Sequence, residues 1–166
     1  MGRERKNSLS IRVSLRDQRL ELHDSAAVVR SFAVSTSRYG AGEMAESFKT
    51  PRGRHLIRAK IGAQQPLNAV FRGRRPTGEI YSAALASANP DRDWILTRIL
   101  WLSGTEVGKN RLGNVDTMRR YIYIHGAPDE VLGTPGSIGC IRMGNRDVAE
   151  LFAVVPVGTV VDIVED

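Results

Sequence analysis

The stretch YIYIHGAPDEVLGTPGSIGCIRM, residues 121–143, holds the only cysteine of the chain and one of its three histidines. Its first part, with the preceding arginines, reads RRYIYIHG and is the best strand pattern in the sequence. Alternation puts Ile122 and Ile124 on one face and Tyr121, Tyr123 and His125 on the other. His125 thus ends a strand on a polar-aromatic face. Cys140 follows 15 positions later (140 − 125), and Pro128, Gly133, Pro135 and Gly136 between them are turn residues able to fold the chain back on itself. The spacing permits His125 and Cys140 to meet.

Working outward, NRDVAELFAVV places Val148, Leu151, Phe152 and Val155 at helical spacing with Asn145 as N-cap. Pro156 stops this amphipathic helix, and GTVVDIV closes the chain as a strand. Upstream, DWILTRILWL is apolar on both faces, as a central strand is. It leads into GTEVGKNRLGNVDTM, a connecting loop long enough to suggest function. Nearer the start, IRVSLRDQRLEL alternates through Ile11, Val13 and Leu15, turns near Asp17 and Gln18, and resumes at Leu20 and Leu22, a hairpin pattern. AAVVRSFAVSTS and HLIRAKI supply further strands, separated by a glycine-rich loop. Between Gln64 and Asp93 the sequence reads as loops, with EIYSAALASA a weak helix. Strands outnumber helices throughout a single domain.

The chain has 166 residues, 42% of them hydrophobic, enough for a sizeable core. Its 24 Lys and Arg against 18 Asp and Glu give a net charge of +6, which favours acidic partners: nucleic acid, anionic lipid or a carboxylate-rich polymer. Part of the excess sits at Arg72, Arg74 and Arg75, and for most of these basic residues a solvated face is the favoured reading. No recognition helix or aromatic platform accompanies it, so no nucleic-acid partner is expected. No apolar run is long enough for a transmembrane segment, and the start MGRERKNSLS, which contains the polar basic leader of residues 1–8, lacks the apolar core of a secretory signal.

Two motifs fail on context. GAGEMA matches a dinucleotide fingerprint, but Pro51 arrives before a helix could form and Lys60 stands where an acid belongs. SGTEVGKN resembles a phosphate-binding loop, with Ser103 in place of the first glycine and Asn110 in place of the magnesium-binding hydroxyl. His23, His55 and His125 are scattered, and one cysteine offers no paired ligand spacing for zinc.

Nucleophilic catalysis by cysteine needs a thiolate, a base within reach and donors for the developing oxyanion. SIGC can supply the donors if Gly139 bends so that its own N–H and that of Cys140 point outward, and His125 can serve as base. Arg142, two residues past Cys140, can hold a substrate carboxylate or favour the thiolate. A buried structural cysteine, a solvated histidine and a surface arginine are the competing readings of the same residues.

IHG, the spacer, and then SIGCIRM with Asn145 resemble the signature of the YkuD-type L,D-transpeptidase catalytic domain. IRVSLRDQRLEL is similar to the first hairpin of that family, KTPRGRHLIRAKIG to its T-P-x-G segment and VPVGTVVDI to its last strand. The resemblance implies a mainly β fold, a β-sandwich with short helices, over residues 9–166. It implies Cys140 as nucleophile and His125 as base, oriented by a backbone carbonyl, with Gly139, Ser137 and Arg142 shaping the oxyanion site. Tyr123, Gly126 and Arg142 would contact substrate. The implied partner is the peptidoglycan stem peptide, cut before its terminal D-Ala, with no cofactor and no metal. The family's address is periplasmic or at the cell envelope, while the lack of an export signal in this sequence leaves a cytoplasmic site open. Ile138 stands where many members have a histidine. A basic binding domain of the same fold, or a different cysteine amidase, are the rivals to this enzyme.

Overall fold

The computed structural model describes residues 7–166, so most of the expected leader, residues 1–6, lies outside the described residues. Ten strands and two short helices follow in the order β1 (Leu9–Ser14), β2 (Arg19–Asp24), β3 (Ala27–Ser35), β4 (Gly53–Ile61), β5 (Ala69–Arg72), β6 (Arg75–Ile80), α1 (Ala83–Ala88), β7 (Ile95–Gly104), β8 (Tyr123–Ala127), β9 (Ile141–Gly144), α2 (Asn145–Val154) and β10 (Val160–Val164). The fold is mainly β, as the sequence implies.

All ten strands join one sheet, β4-β10-β1-β2-β3-β9-β8-β7-β5-β6, and a further pairing of β4 with β7 closes eight of them into a ring. The two layers expected of a sandwich are therefore continuous. β7 makes the closure possible because it divides one edge between two partners. Its first residues pair with β5 and those from Ile99 to Gly104 pair with β4, while the other edge carries β8. The bend falls at Thr97, a threonine at φ 71°, which donates its hydroxyl to Asn145 Oδ1 (2.6 Å) and accepts from Asn68 N–H (3.0 Å).

The alternation of β8 separates two apolar clusters. Ile122 and Ile124 join Ile11, Val13, Leu20 and Val161, capped by Val148, Leu151 and Phe152 of α2. Tyr123, on the opposite side, packs with Ala69, Phe71 and Ile99. Each large side chain so buried contributes roughly 1.5–3 kcal/mol, which outweighs the preference of these short segments for other conformations.

Three expectations need correction. β8 starts at Tyr123 rather than Arg119, because Tyr121 sits at φ 56° in a turn. Gly144, not Asn145, caps α2; the Asn145 side chain turns to Thr97 and to the Ala127 carbonyl, which accepts from its Nδ2 at 3.2 Å. Between Gln64 and Asp93 lies a hairpin, β5–β6, whose two-residue turn has Gly73 at φ 56° and Arg74 at φ 63°. Positive φ at both turn residues suits the twist of the flanking strands, but usually calls for Asn-Gly, so the sequence Gly-Arg concealed it.

The rejected SGTEVGKN segment has a structural explanation. Asn110 is fully buried, donates to the carbonyls of Arg52 and Arg54 (both 3.1 Å) and accepts from Glu106 N–H (3.0 Å). The loop is folded around an asparagine rather than a phosphate.

Candidate active site

β8 and β9 run parallel, with Ile124 opposite Ile141 and His125 opposite Arg142. Since side chains alternate, Tyr123, His125, Cys140 and Arg142 share one face, and Cys140 is the diagonal neighbour of His125 across the strand pair. The crossover between them is tied down in passing. Gly133 N–H donates to the Val34 carbonyl (2.9 Å), Gly136 and Ser137 N–H to the Thr36 carbonyl (2.8 and 2.9 Å), and Arg38 to the Gly136 carbonyl (2.8 Å). The turn residues between His125 and Cys140 thus bring the two strands side by side.

His125 is 1% exposed, and its Nδ1 donates to the Gly126 carbonyl at 2.8 Å. That bond fixes the tautomer and leaves Nε2 as the lone-pair nitrogen. Burial holds the imidazole below its usual range of 6.5, with the Gly126 carbonyl and the charge of Asp93 opposing it. Cys140 is half-buried; Sγ accepts from Tyr123 N–H (3.3 Å) and donates to the Tyr121 carbonyl (3.4 Å). Burial pushes the thiol up to about 12, with the Tyr123 N–H and the cations of Arg142 and Arg120 pulling the other way. Among the described residues no hydrogen bond joins the sulfur to the ring, so the thiol donates to the Tyr121 carbonyl rather than to His125.

The loop before Cys140 is fixed by its own backbone. Ser137 donates its hydroxyl to the Cys140 carbonyl (2.6 Å) and accepts from Gly139 N–H (3.2 Å), while Thr50 donates to the Gly139 carbonyl (3.0 Å). The Gly139 N–H is therefore occupied, contrary to the expectation that it points outward. The Cys140 N–H has no partner among the described residues and remains available. Gly139 lies at φ 128°, and a Cβ there would meet Ile122 Cδ1 at 3.0 Å. Gly139→Ala is expected to lower Tm by a few degrees, from about 1–2 kcal/mol of backbone strain. It should slow covalent labelling of Cys140 more than tenfold. Thermal melts and labelling time courses on one preparation check both.

The remaining expected residues are placed as follows. Tyr123 is 4% exposed and its hydroxyl accepts from Arg74 (3.1 Å), so it lines the site from beneath. Gly126 is buried, and a side chain there would strike the Leu96 carbonyl and Asn145; its carbonyl accepts from the imidazole. Arg142 pairs with Asp93 (Nη2 to Oδ1, 3.3 Å), and its side chain is 13% exposed. Ile138 is exposed.

Three residues at the site carry no motif in the sequence. Arg120 donates to the carbonyls of Lys49 (2.6 Å) and Gly42 (3.3 Å), bringing the 42–50 loop beside the thiol. Arg74 reaches back from the β5–β6 turn over the rings of Trp101 and Tyr121, 4.9 Å from each centroid. Asp93 lies two residues before β7. The only cue was position: two arginines open the best strand pattern, and an acid stands at the entry to β7.

A family model described as the L,D-transpeptidase catalytic domain, YkuD, matches residues 8–163. The chain belongs to the YkuD family. Among solved structures, an L,D-transpeptidase from Mycobacterium smegmatis is similar at 19% identity and TM-score 0.56, covering 95% of this chain and 58% of that one. One from Xylanimonas cellulosilytica is similar at 18% and 0.54, covering 98% and 63%. L,D-transpeptidase 3 from Mycobacterium tuberculosis, in complex with a faropenem-derived adduct, is similar at 16% and 0.58, covering 95% and 60%. The YkuD domain described here thus spans about three-fifths of the length of these structures, and at such identities the likeness is one of fold. No curated protein matches. No helix among the described residues of this YkuD domain is long and apolar enough to cross a membrane.

Proposed function

We propose that this YkuD domain is a peptidoglycan L,D-transpeptidase acting at the cell envelope. Cys140 attacks the L-centre carbonyl before the terminal D-Ala of a tetrapeptide stem. D-Ala leaves, and the acyl group passes from sulfur to an amine or to water. The observation that carries the reading is the placement of Cys140 and His125 on one face of adjacent parallel strands, with the imidazole held by Gly126 so that Nε2 can take a proton.

Chemistry begins when the thiol leaves the Tyr121 carbonyl and gives its proton to Nε2. Sγ bonds to the carbonyl carbon, and the oxyanion forms beside the free Cys140 N–H, where a preset donor acts most strongly. The imidazolium then protonates the departing amine of D-Ala, leaving a thioester on Cys140. The net positive charge of +6 suits a substrate rich in carboxylates.

Intact-mass spectrometry after incubation with a carbapenem, followed by peptide mapping, tests this. A single adduct on the peptide containing Cys140, with D-Ala released from a disaccharide-tetrapeptide, is expected. Absence of any adduct together with binding to peptidoglycan would instead make the domain a non-catalytic wall-binding module.

A further inference from the structure

The long loop between β7 and β8 folds against one face of the β4–β7 pair and leaves a cleft of about 300 Å³, lined by Leu56, Arg58, Ser103, Arg111, Leu112 and Met118 among others. The proposed chemistry at Cys140 gives this loop no task, although loops of its length often carry one. The cleft shares no lining residue with the thiol's site. Trp101 stands between the two, with its N–H on the Met118 carbonyl (3.0 Å) and its ring against Tyr121 and Tyr123.

The charges of this cleft are left unbalanced by its own backbone. Arg58 and Arg111 are exposed, and neither side chain has a hydrogen bond or an ion pair among the described residues. The one acid of the cleft, Asp116, is 8% exposed and commits both oxygens to main chain: Oδ1 accepts from Leu112 N–H (2.6 Å) and Oδ2 from Arg119 N–H (2.9 Å). Two guanidinium groups thus border one small space with no free carboxylate between them. Ser103, opposite Leu56 in the strand register, makes only a long contact to the Gly104 carbonyl (3.4 Å), so its hydroxyl is open to a ligand. Beside these donors lie apolar surfaces, with Leu56 and Met118 half-buried and Leu112 held 52% exposed at φ 65°.

We propose that this cleft binds a phosphate monoester, its phosphate between Arg58 and Arg111 and its carbon body against Leu56, Leu112 and Met118. The choice among anions follows from donor count and charge. A carboxylate has two oxygens and a single charge, and one guanidinium fork satisfies it. A phosphate monoester has three terminal oxygens and about two negative charges at pH 7, which two arginines and a hydroxyl match. The apolar wall favours an ester over the bare ion, which has nothing to lay against Leu112. A lipid headgroup and a free ester present the same group, and an open cleft admits either. The site works without Cys140, so it stands apart from the acyl-transfer reading.

Calorimetric titration of the full chain at low salt compares n-butyl phosphate, inorganic phosphate and butyrate. Wild type is expected to bind one equivalent of butyl phosphate, and butyrate at least tenfold more weakly. Arg58→Gln and Arg111→Gln should each weaken butyl phosphate about tenfold, the usual weight of one charge-assisted contact. Arg72→Gln removes the same charge from the β5–β6 hairpin and should change nothing. Leu112→Asn keeps a residue that accepts positive φ, and it should weaken butyl phosphate while leaving inorganic phosphate unaltered. Co-sedimentation with phosphatidylcholine vesicles, with and without phosphatidic acid, then separates the sources. Capture by phosphatidic acid that Arg58→Gln abolishes assigns a lipid headgroup, and any other result assigns a free ester. Absence of butyl phosphate binding, butyrate binding of equal strength, or an Arg58→Gln affinity no different from that of Arg72→Gln overturns the site.

Discussion

His125→Ala is expected to slow acylation of Cys140 at pH 7 by on the order of 10³-fold, within the usual range for loss of a general base. The reason lies in the pair's resting charge. Burial pushes the thiol up to about 12 and holds the imidazole below 6.5, so both partners are neutral at pH 7. A thiol with that value is ionised to only about one part in 10⁵ at pH 7, so the wild-type rate depends on a proton moving during attack. Without the imidazole the rate should climb about tenfold per pH unit through pH 10, following the thiolate. Wild type should instead rise on the acid side as the imidazole loses its proton, then stay flat from pH 7 to 9. Stopped-flow acylation by a carbapenem across that range reads both profiles. A wild-type bell with a descending limb between pH 7 and 9 would falsify the neutral pair and indicate a preformed thiolate and imidazolium.

Stability is expected to fall by roughly 3 kcal/mol between pH 6.5 and pH 4 through His55 alone. This ring is fully buried, with Nδ1 donating to the Gly53 carbonyl (3.0 Å) and Nε2 accepting from the Thr117 hydroxyl (3.0 Å). Both nitrogens are satisfied in the neutral form, and it is burial of the charge rather than a lost hydrogen bond that disfavours the protonated ring. Burial lowers its pKa from 6.5 to about 4, with the Gly53 carbonyl opposing. In that window the unfolded chain binds a proton that the folded chain refuses, so stability is full above pH 6.5 and declines as pH falls, levelling off below 4. His125 adds to the loss in the same direction. Urea unfolding of wild type and His55→Gln at several pH values isolates the contribution, since carboxylate effects are common to both. A constant difference between the two proteins from pH 7 to 4 contradicts it.

The elements that could be read from the sequence are those whose side chains divide cleanly between two environments. Ile122 and Ile124 against Tyr123 and His125, or Val148, Leu151 and Phe152 against a polar helix face, record burial directly in their spacing. β6 records nothing of the kind, because RPTGEI is exposed on nearly every residue and is held by hydrogen bonds to β5 that any side chain permits. The site divides along the same line. Cys140, His125, Gly139 and Ser137 answer to strict local demands of backbone and chemistry, and a short motif displays them. Arg74 and Asp93 reach the site from a turn and a strand approach remote in sequence, brought there by the pairing of β5, β7 and β8, while Arg120 comes from the turn just before β8, where the alternation carries no sign of its contacts. The commitment of Arg142 to Asp93 was hidden for the same reason: its partner lies 49 positions away.

Closure of eight strands into a ring also bears on how this protein behaves in concentrated solution. Every strand of the ring has a partner on each side over part of its length; open flanks among the described residues include the exposed first part of β3, which β9 meets only at Val34 and Ser35, and the outer flank of β6. That flank carries Arg75, Pro76, Gly78 and Glu79, a charge at either end with a missing N–H and a backbone kink between them. Such a border is a poor seed for intermolecular sheets, and the native protein is guarded against fibrillar aggregation at this margin.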